Sequence, residues 1–149
     1  MASHHENILT DHNKIAEFLR TVRTVAVLGI KPESHAGQPA HYVPAALQRD
    51  GLRIFPVPAY FPDATEILGE KVFRTVASIG EPVDIVDVFR RSSDVPPHLD
   101  DLLAARPKMV WLQSGIRHDE VAQKLAAAGI KVVQDRCLMV EYGDVRAFR

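Results

Sequence analysis

The sequence contains only one cysteine, Cys137, in 149 residues. A single cysteine excludes an internal disulfide framework and a Cys-rich zinc site, and it suits a reducing compartment. The formal net charge is also small, at -1, because 18 Lys and Arg residues stand against 19 Asp and Glu residues. A nearly neutral protein has no broad positive field for a nucleic-acid backbone or an anionic membrane. We therefore predict neither partner, and any anion site must be local.

Long hydrophobic runs are missing as well. The longest apolar stretch, around Val25 to Ile30, is far shorter than the roughly 20 residues that cross a bilayer. The first six residues lack the basic and apolar regions of an export signal. We therefore expect a cytoplasmic protein. The apolar content of 46% is normal for a globular chain, so residues 1–149 are predicted to form a single domain.

Five short apolar runs, rich in β-branched residues, recur along the chain. They cover residues 24–29, 52–57, 83–89, 108–113 and 130–134. Nearly continuous apolar runs are typical of parallel strands that are buried on both faces. Helical patterns lie between the runs and stop near Gly51, Pro107 and Gly129, because Gly accepts a left-handed backbone and Pro cannot continue a helix.

This alternation predicts an α/β fold, a Rossmann-like three-layer sandwich with a mainly parallel five-stranded sheet in the order 3-2-1-4-5. A sixth strand is left open at Lys71 to Phe73, within the long connection from Pro58 to Pro82. Residues 1–22 are predicted to form an N-terminal helical extension. Its apolar residues recur at helical spacing from Ile8 to Val22, with Thr10 or Asp11 as the cap.

The segments that follow the runs are the candidate site, because ligands of open parallel sheets bind beyond the carboxyl ends of the strands. After the first run, Gly29 lets a ligand approach the backbone, and free N–H groups at the start of the next helix favour phosphate. The G-x-G-x-x-G fingerprint is absent, and Val57-Pro58 ends the second run without the acid that holds the ribose of NAD. NAD is disfavoured, but an NAD(P)-linked oxidoreductase stays open as the alternative.

Basic residues follow four of the five runs. They are Lys31, Arg90 with Arg91, Arg117 and Arg136. This concentration in a neutral chain favours a ligand with several phosphates. The alternative for Arg90 and Arg91 is a pair of solvated loop residues.

Catalytic and metal sites are weakly indicated. His35 and His41 flank the first loop, but a metal site there needs a third ligand such as Glu33 or Asp135. The histidines at positions 4, 5, 12 and 98 are interpreted as polar or surface residues. We predict no metal.

Asp84 and Asp87 lie three apart on one strand, so their side chains point to opposite faces and form no carboxylate dyad. Asp87 is expected to be a buried carboxylate held by loop amides. Ser114 lacks the G-x-S-x-G elbow of a nucleophilic serine. We predict no catalytic residue.

Seven segments carry a resemblance to a known family. They are Val25–Gly29, Pro39–Pro44, Ile54–Pro58, Glu66–Glu70, Pro82–Arg90, Val110–Arg117 and Asp135–Leu138. In this order they resemble the small stand-alone CoA-binding proteins of bacteria, which are similar to the CoA-binding domain of the succinyl-CoA synthetase alpha subunit. One departure is Val57-Pro58-Ala59, where relatives often have Val-Asn-Pro, and it concerns a side-chain contact at that turn.

The resemblance implies a site for coenzyme A or an acyl-CoA. The adenosine end would lie by the loops after the first three runs, and the pantetheine arm would run toward the loop after the fourth. The predicted site residues are Gly29, Ile30, Lys31, Pro32, His41, Val57, Pro58, Phe89, Arg90, Arg91, Gln113, Ser114, Gly115, Arg136 and Cys137. Ile30 and Phe89 would flank the adenine, with core packing as the alternative for Phe89.

The sequence therefore favours a CoA-binding module without catalysis of its own, acting as a carrier, sensor or regulator. A structural partner subunit is a weaker alternative, and a homo-oligomer is left open. Ligase activity is not expected, because the phosphorylated-histidine domain of the synthetase does not follow the last run. Cys137 is either a reactive thiol beside the thiol cofactor or a small buried apolar residue.

Overall fold

The five apolar runs form one parallel sheet in a computed structural model that describes residues 4–147. In chain order the strands are β1 (Thr24–Leu28), β2 (Arg53–Val57), β3 (Glu66–Ile67), β4 (Glu70–Lys71), β5 (Ile85–Val88), β6 (Met109–Leu112) and β7 (Lys131–Val133). The helices are α1 (His12–Leu19), α2 (Pro39–Arg49), α3 (Leu99–Ala105), α4 (Asp119–Ala127) and α5 (Leu138–Ala147). The predicted Rossmann-like α/β class is confirmed.

The strand order needs a correction. The sheet runs β2-β1-β5-β6-β7, so the five runs stand in the order 2-1-3-4-5 and not 3-2-1-4-5. The third run cannot lie beyond β2, because the backbone N–H of Phe73 donates to the carbonyl of Pro56 at 2.9 Å and covers that edge. Residues 58–82 contain no α-helix to carry a crossover to that side. β5 therefore pairs with the opposite side of β1.

The short sixth strand that was left open at Lys71 to Phe73 is a hairpin strand. β4 pairs antiparallel with β3 in a separate two-stranded sheet. Phe73, two residues after β4, donates its backbone N–H to Pro56 of the main sheet.

Side chains alternate between the two faces of the sheet, as the period of a strand requires. Val25 and Val27 pack on the face that is covered by α1, α2 and α5. Ala26 and Leu28 pack on the face that is covered by α3 and α4. All four residues are buried, which explains why the runs are continuously apolar.

Within the predicted N-terminal helical extension, α1 is shorter than expected. The Asp11 side chain caps it by accepting from the N–H of Asn13 at 2.8 Å. Ile8 lies outside the helix, in a parallel bridge with Val132, and the N–H of Leu9 donates to the Val132 carbonyl at 2.8 Å. Residues 1–3 and 148–149 of the predicted domain lie outside the described residues.

Helix α5 was not predicted from the sequence. Its buried residues Leu138, Tyr142 and Val145 recur at helical spacing and complete the core on the α1 and α2 face. Among residues 4–147, no helix is both long and apolar enough to cross a membrane.

Candidate functional site

A cavity of about 200 Å³ opens at the carboxyl ends of β1, β2 and β5. β1 lies between the other two strands, so this is where the chain reverses its direction across the sheet. The lining residues are Gly29, Ile30, Lys31, Ala59, Tyr60, Phe61, Phe89, Arg90, Arg91 and Asp94. Six of them were predicted from the sequence. The other four were not predicted: Ala59, Tyr60, Phe61 and Asp94. The two aromatic residues, three and four positions after the end of β2, could have indicated this wall of the cavity.

Gly29 holds the turn after β1, and the backbone around it adds a constraint that was not expected from the sequence. Its N–H donates to the Val57 carbonyl at 2.8 Å, and its φ is +91°. A Cβ at this position would lie 3.0 Å from the carbonyl carbon of Phe89, and closer still to the carbonyl oxygen. The backbone after β5 crosses the turn and leaves no room for a Cβ, so this position requires glycine with or without a ligand.

The loop after Gly29 is tied back onto α2. The Nδ1–H of the buried His41 donates to the Lys31 carbonyl at 2.8 Å, since a carbonyl oxygen only accepts. The Lys31 N–H donates to the Ala40 carbonyl at 3.1 Å, and the Lys31 ammonium donates to Oε1 of Gln38 at 2.5 Å. His41 thus fixes the backbone that presents Lys31 to the cavity.

The start of α2 does not reach the cavity. Pro32 and the 3-10 turn Glu33–His35 stand between Gly29 and the helix, and no residue of α2 is among the lining residues. The expected phosphate cradle at this helix N-terminus is therefore not part of the cavity.

Arg90 is held in place from several sides, and its side chain is 18% exposed. Its Nε–H donates to Nε2 of His98 at 3.2 Å. Its guanidinium carbon lies 5.4 Å from the centre of the Tyr60 ring, and one of its nitrogens lies 4.0 Å from the Asp94 carboxylate. Burial lowers the pKa of His98, and the Arg90 charge lowers it further, while Asp101 and Asp94 oppose the shift.

Arg91 is the accessible cation of the cavity. Its side chain is 89% exposed, and its Nε lies 4.0 Å from Oδ2 of Asp94. An ion pair at that distance and exposure is weak. Asp94 therefore neutralises Arg91 only loosely, and a ligand anion can displace it.

Four further predicted residues are buried or half-buried supports. Val57 is fully buried, Pro58 is buried, and Ile30 is 1% exposed within the core. Phe89 is half-buried, packs against the same core as Ile30, and donates its N–H to Leu28 at 2.8 Å. Ile30 borders the cavity with little exposed surface, so its contact with an adenine stays a prediction.

The residues after β6 form a neighbouring part of the same sheet edge, outside the cavity. Gln113 is buried, and its Oε1 accepts from the N–H of Leu138 at 3.0 Å. Ser114 and Gly115 are exposed. The Gly115 N–H donates to Oδ1 of Asp135 at 2.6 Å. This loop is therefore anchored to the segment after β7, with its tip open to solvent.

Arg136 and Cys137 have structural surroundings. The Arg136 guanidinium donates to Oε1 of Glu141 at 2.9 Å and to the Thr10 carbonyl at 3.0 Å. It thereby ties the N-terminal segment to α5, and its charge is already compensated. Cys137 is half-buried and packs against the apolar cluster beneath α5, which favours the interpretation as a small apolar residue.

The surroundings of the Asp87 carboxylate differ from those expected. It was expected to be held by loop amides, but both of its carboxylate oxygens are buried without a hydrogen-bond partner. It stands in register between Val27 of β1 and Trp111 of β6, on the face that is covered by α1, α2 and α5. Burial raises the pKa of this carboxyl well above its ordinary value.

The hypothesis of a two-histidine metal site finds no support among the described residues, where no three His, Cys, Asp or Glu side chains are placed to hold a metal ion. His35 instead packs edge-on against the ring of Phe61, with 5.1 Å between the ring centres. Its Nδ1 also lies 2.9 Å from the hydroxyl of Ser34.

Comparisons with known proteins cover most of the chain. Residues 23–143 match the model of a family described as a CoA binding domain. YneT, an uncharacterized protein of Bacillus subtilis (strain 168), is 33% identical over 129 residues, which are 87% of this chain and 92% of YneT. A solved structure from Thermus thermophilus is 43% identical and has a TM-score of 0.82, with 91% of this chain and 99% of that chain covered. A hypothetical protein from Pyrococcus horikoshii OT3 is 27% identical with a TM-score of 0.80, over 93% and 94% of the two chains.

Proposed function

Since the chain belongs to the CoA-binding domain family, we propose that it binds coenzyme A or an acyl-CoA non-covalently at the carboxyl edge of its sheet. In this proposal the protein is a binding module without catalysis of its own. The observation that carries the proposal is the cationic cavity beside β1, which is lined by Lys31, Arg90 and Arg91. CoA presents a pyrophosphate and a 3'-phosphate, and guanidinium groups bind such oxygens with two parallel hydrogen bonds.

The two arginines suit different parts of this task. Arg90 is oriented by His98 and by the Tyr60 ring, so little side-chain freedom is lost when it binds a phosphate. Arg91 is exposed and only weakly paired to Asp94. It is the natural contact for a phosphate that enters from solvent.

The size of the cavity supports binding of only one end of CoA. A volume of about 200 Å³ is below that of typical pockets for whole ligands. The adenosine end would occupy the cavity, as the family resemblance implies. The pantetheine arm would then extend along the open edge toward the exposed Ser114 and Gly115.

The same geometry disfavours the oxidoreductase alternative. The second strand ends at Val57, and the buried Pro58 and the exposed Ala59 follow it. No carboxylate stands there to bind the two ribose hydroxyls of NAD.

The make-up of the cavity also supports a module without catalysis. Its described lining includes no histidine, cysteine or serine, so it offers neither the Ser–His nor the Cys–His pair of nucleophilic catalysis. The acid in the lining, Asp94, lies beside the arginines.

Calorimetry with CoA, dephospho-CoA and NAD tests the proposal. We expect CoA to bind more tightly than NAD, and we expect native mass spectrometry of the purified protein to detect retained CoA. Equal or tighter binding of NAD would overturn the proposal in favour of the oxidoreductase. Turnover in a panel of acyl-CoA or NAD(P)H reactions would contradict the claim that the protein is a module without catalysis.

A further inference from the structure

The loop that joins β2 to β3 forms one wall of the cavity but has little regular structure of its own. Tyr60 and Phe61 line the cavity from this loop. Phe61 has a φ of +64°, a conformation that a residue with a side chain rarely adopts. Within the loop, the N–H of Ala64 donates to the Phe61 carbonyl at 3.0 Å. The wall therefore depends on contacts from elsewhere.

Those contacts come from one guanidinium, that of Arg74. Its Nη2 lies 3.1 Å from the carbonyl of Phe61, 3.0 Å from that of Pro62 and 2.7 Å from that of Ala64. Its Nη1 lies 3.5 Å from the carbonyl of Tyr60. The two Nη2 hydrogens are shared among three carbonyls, and the planar guanidinium spans four carbonyls from five consecutive residues, a spread that the single nitrogen of an ammonium does not cover.

Arg74 itself is anchored to the sheet. The preceding residue, Phe73, donates its N–H to the Pro56 carbonyl at 2.9 Å. The Phe73 ring packs edge-on against the ring of Phe55, with 6.1 Å between the ring centres. The guanidinium therefore holds the loop at a fixed place relative to β2.

The loop in turn contacts two other walls of the cavity. Tyr60 faces the guanidinium of Arg90, and Phe61 packs against His35 of the segment after β1. If the four carbonyls were released, Tyr60 and Phe61 would lose the support that keeps them against these partners.

We propose that Arg74 is a positioning residue of the ligand site: its guanidinium holds the 60–64 loop closed against Arg90 and His35, although it does not line the cavity itself. The effect on CoA affinity rests on the proposed function. The effect on the loop does not.

Two variants separate loop positioning from simple charge. In Arg74→Lys the positive charge stays but the planar fork is lost, and in Arg74→Gln both are lost. We expect both variants to bind CoA about threefold to tenfold more weakly, which corresponds to the loss of one or two ordinary hydrogen bonds. Arg53→Gln is the matched control, because Arg53 is an exposed arginine that pairs with Glu81 at the opposite end of β2. It should bind CoA like the unaltered protein.

The second measurement is amide hydrogen exchange of residues 59–65 in the ligand-free protein. Faster exchange in both Arg74 variants, with an unchanged unfolding temperature, is the expected result. If Arg74→Lys binds CoA normally while Arg74→Gln does not, long-range charge is the cause and the proposal is wrong. Unchanged exchange in both variants also overturns it. If the unaltered protein binds no CoA, the proposed function fails, and the exchange rates still decide whether Arg74 holds the loop.

Discussion

The Nε–H of Arg90 donates to Nε2 of His98 at 3.2 Å, which links a cation of the cavity to a half-buried imidazole behind it. From its sequence context, His98 was expected to be a surface residue. It instead ends the 3-10 turn Pro96–His98, just before α3. Because Nε2 accepts this bond, His98 must be neutral at that nitrogen. Protonation would place an imidazolium against the guanidinium.

The first prediction concerns pH. The pKa of His98 is lowered by burial and by Arg90, so the neutral, accepting form is present at neutral pH and is lost as pH falls below the ordinary histidine range. We expect ligand affinity to fall with that protonation, because Arg90 then loses its orienting acceptor. His98→Gln supplies an acceptor that does not titrate, so its affinity should vary less with pH.

Dephospho-CoA is the ligand for this comparison, since the 3'-phosphate of CoA takes up a proton of its own near pH 6, as other phosphate monoesters do. Calorimetry of the unaltered protein and of His98→Gln between about pH 5 and pH 8 covers the window. Parallel curves for the two proteins would show that His98 does not govern Arg90.

A second prediction concerns the stability of the fold and the unpartnered carboxyl of Asp87. Burial raises the pKa of Asp87 in the folded protein, so above the ordinary pKa of an aspartate the unfolded chain is ionised while the folded chain stays protonated. The unfolded state then binds fewer protons, and the free energy of unfolding falls as pH rises through this window. Asp87→Asn removes the titration, so the variant should gain stability over the unaltered protein as pH rises from about 4 toward 7.

Asp84→Asn provides a control of opposite sign. Although burial alone would raise the pKa of Asp84, hydrogen bonds from the N–H groups of Arg23 and Thr24 and the charge of Lys108 lower it overall. Its contribution is present above the ordinary pKa and is lost as pH falls. Chemical denaturation across this pH range measures both variants. If the free energies of unfolding of Asp87→Asn and the unaltered protein differ by the same amount at every pH, the second prediction is wrong.

The sheet could be predicted from the sequence because its strands are buried on both faces, so each reads as a continuous apolar run. The strand order could not be predicted, because the segment that covers the edge of β2 is joined to it by the backbone N–H of Phe73. Such a bond leaves no side-chain pattern. Lys31, Arg90 and Arg91 could be placed at the cavity from their positions after the strands. The roles of Arg74 and His98 could not be predicted, because they depend on contacts between irregular segments, which leave no periodic pattern in the sequence.

The third prediction separates backbone conformation from close contact at Gly29. Gly51 has a similar φ of +100°, but a Cβ at that position would meet no neighbouring atom. A Cβ at Gly29 would meet the Phe89 backbone. Gly51→Ala should therefore cost about 1–3 kcal/mol from conformation alone. Gly29→Ala should cost clearly more, because the chain after β5 must also move.

Thermal or denaturant unfolding measures this difference, with Gly37→Ala as a variant that has neither problem. If Gly29→Ala is no less stable than Gly51→Ala, the close approach of Phe89 does not constrain the turn. If Gly29→Ala folds normally but no longer binds CoA, the approach of a ligand to Gly29 is the constraint at this turn.

The last prediction assigns the 3'-phosphate. Arg91 is the most exposed cation of the cavity, and its ion pair with Asp94 is long, so its removal should leave the fold intact. We expect Arg91→Ala to weaken CoA by about fivefold, as for one solvent-exposed ionic contact, and to leave dephospho-CoA nearly unchanged. Arg49→Ala is the control, since Arg49 is an exposed arginine in the last turn of α2, away from the cavity. A loss that is equal for the two ligands would mean that Arg91 contacts the pyrophosphate, and no loss for either would make Arg91 an ordinary solvated loop residue. Because only the 3'-phosphate distinguishes the two ligands, the ratio of their affinities identifies the contact without depending on the absolute strength of binding.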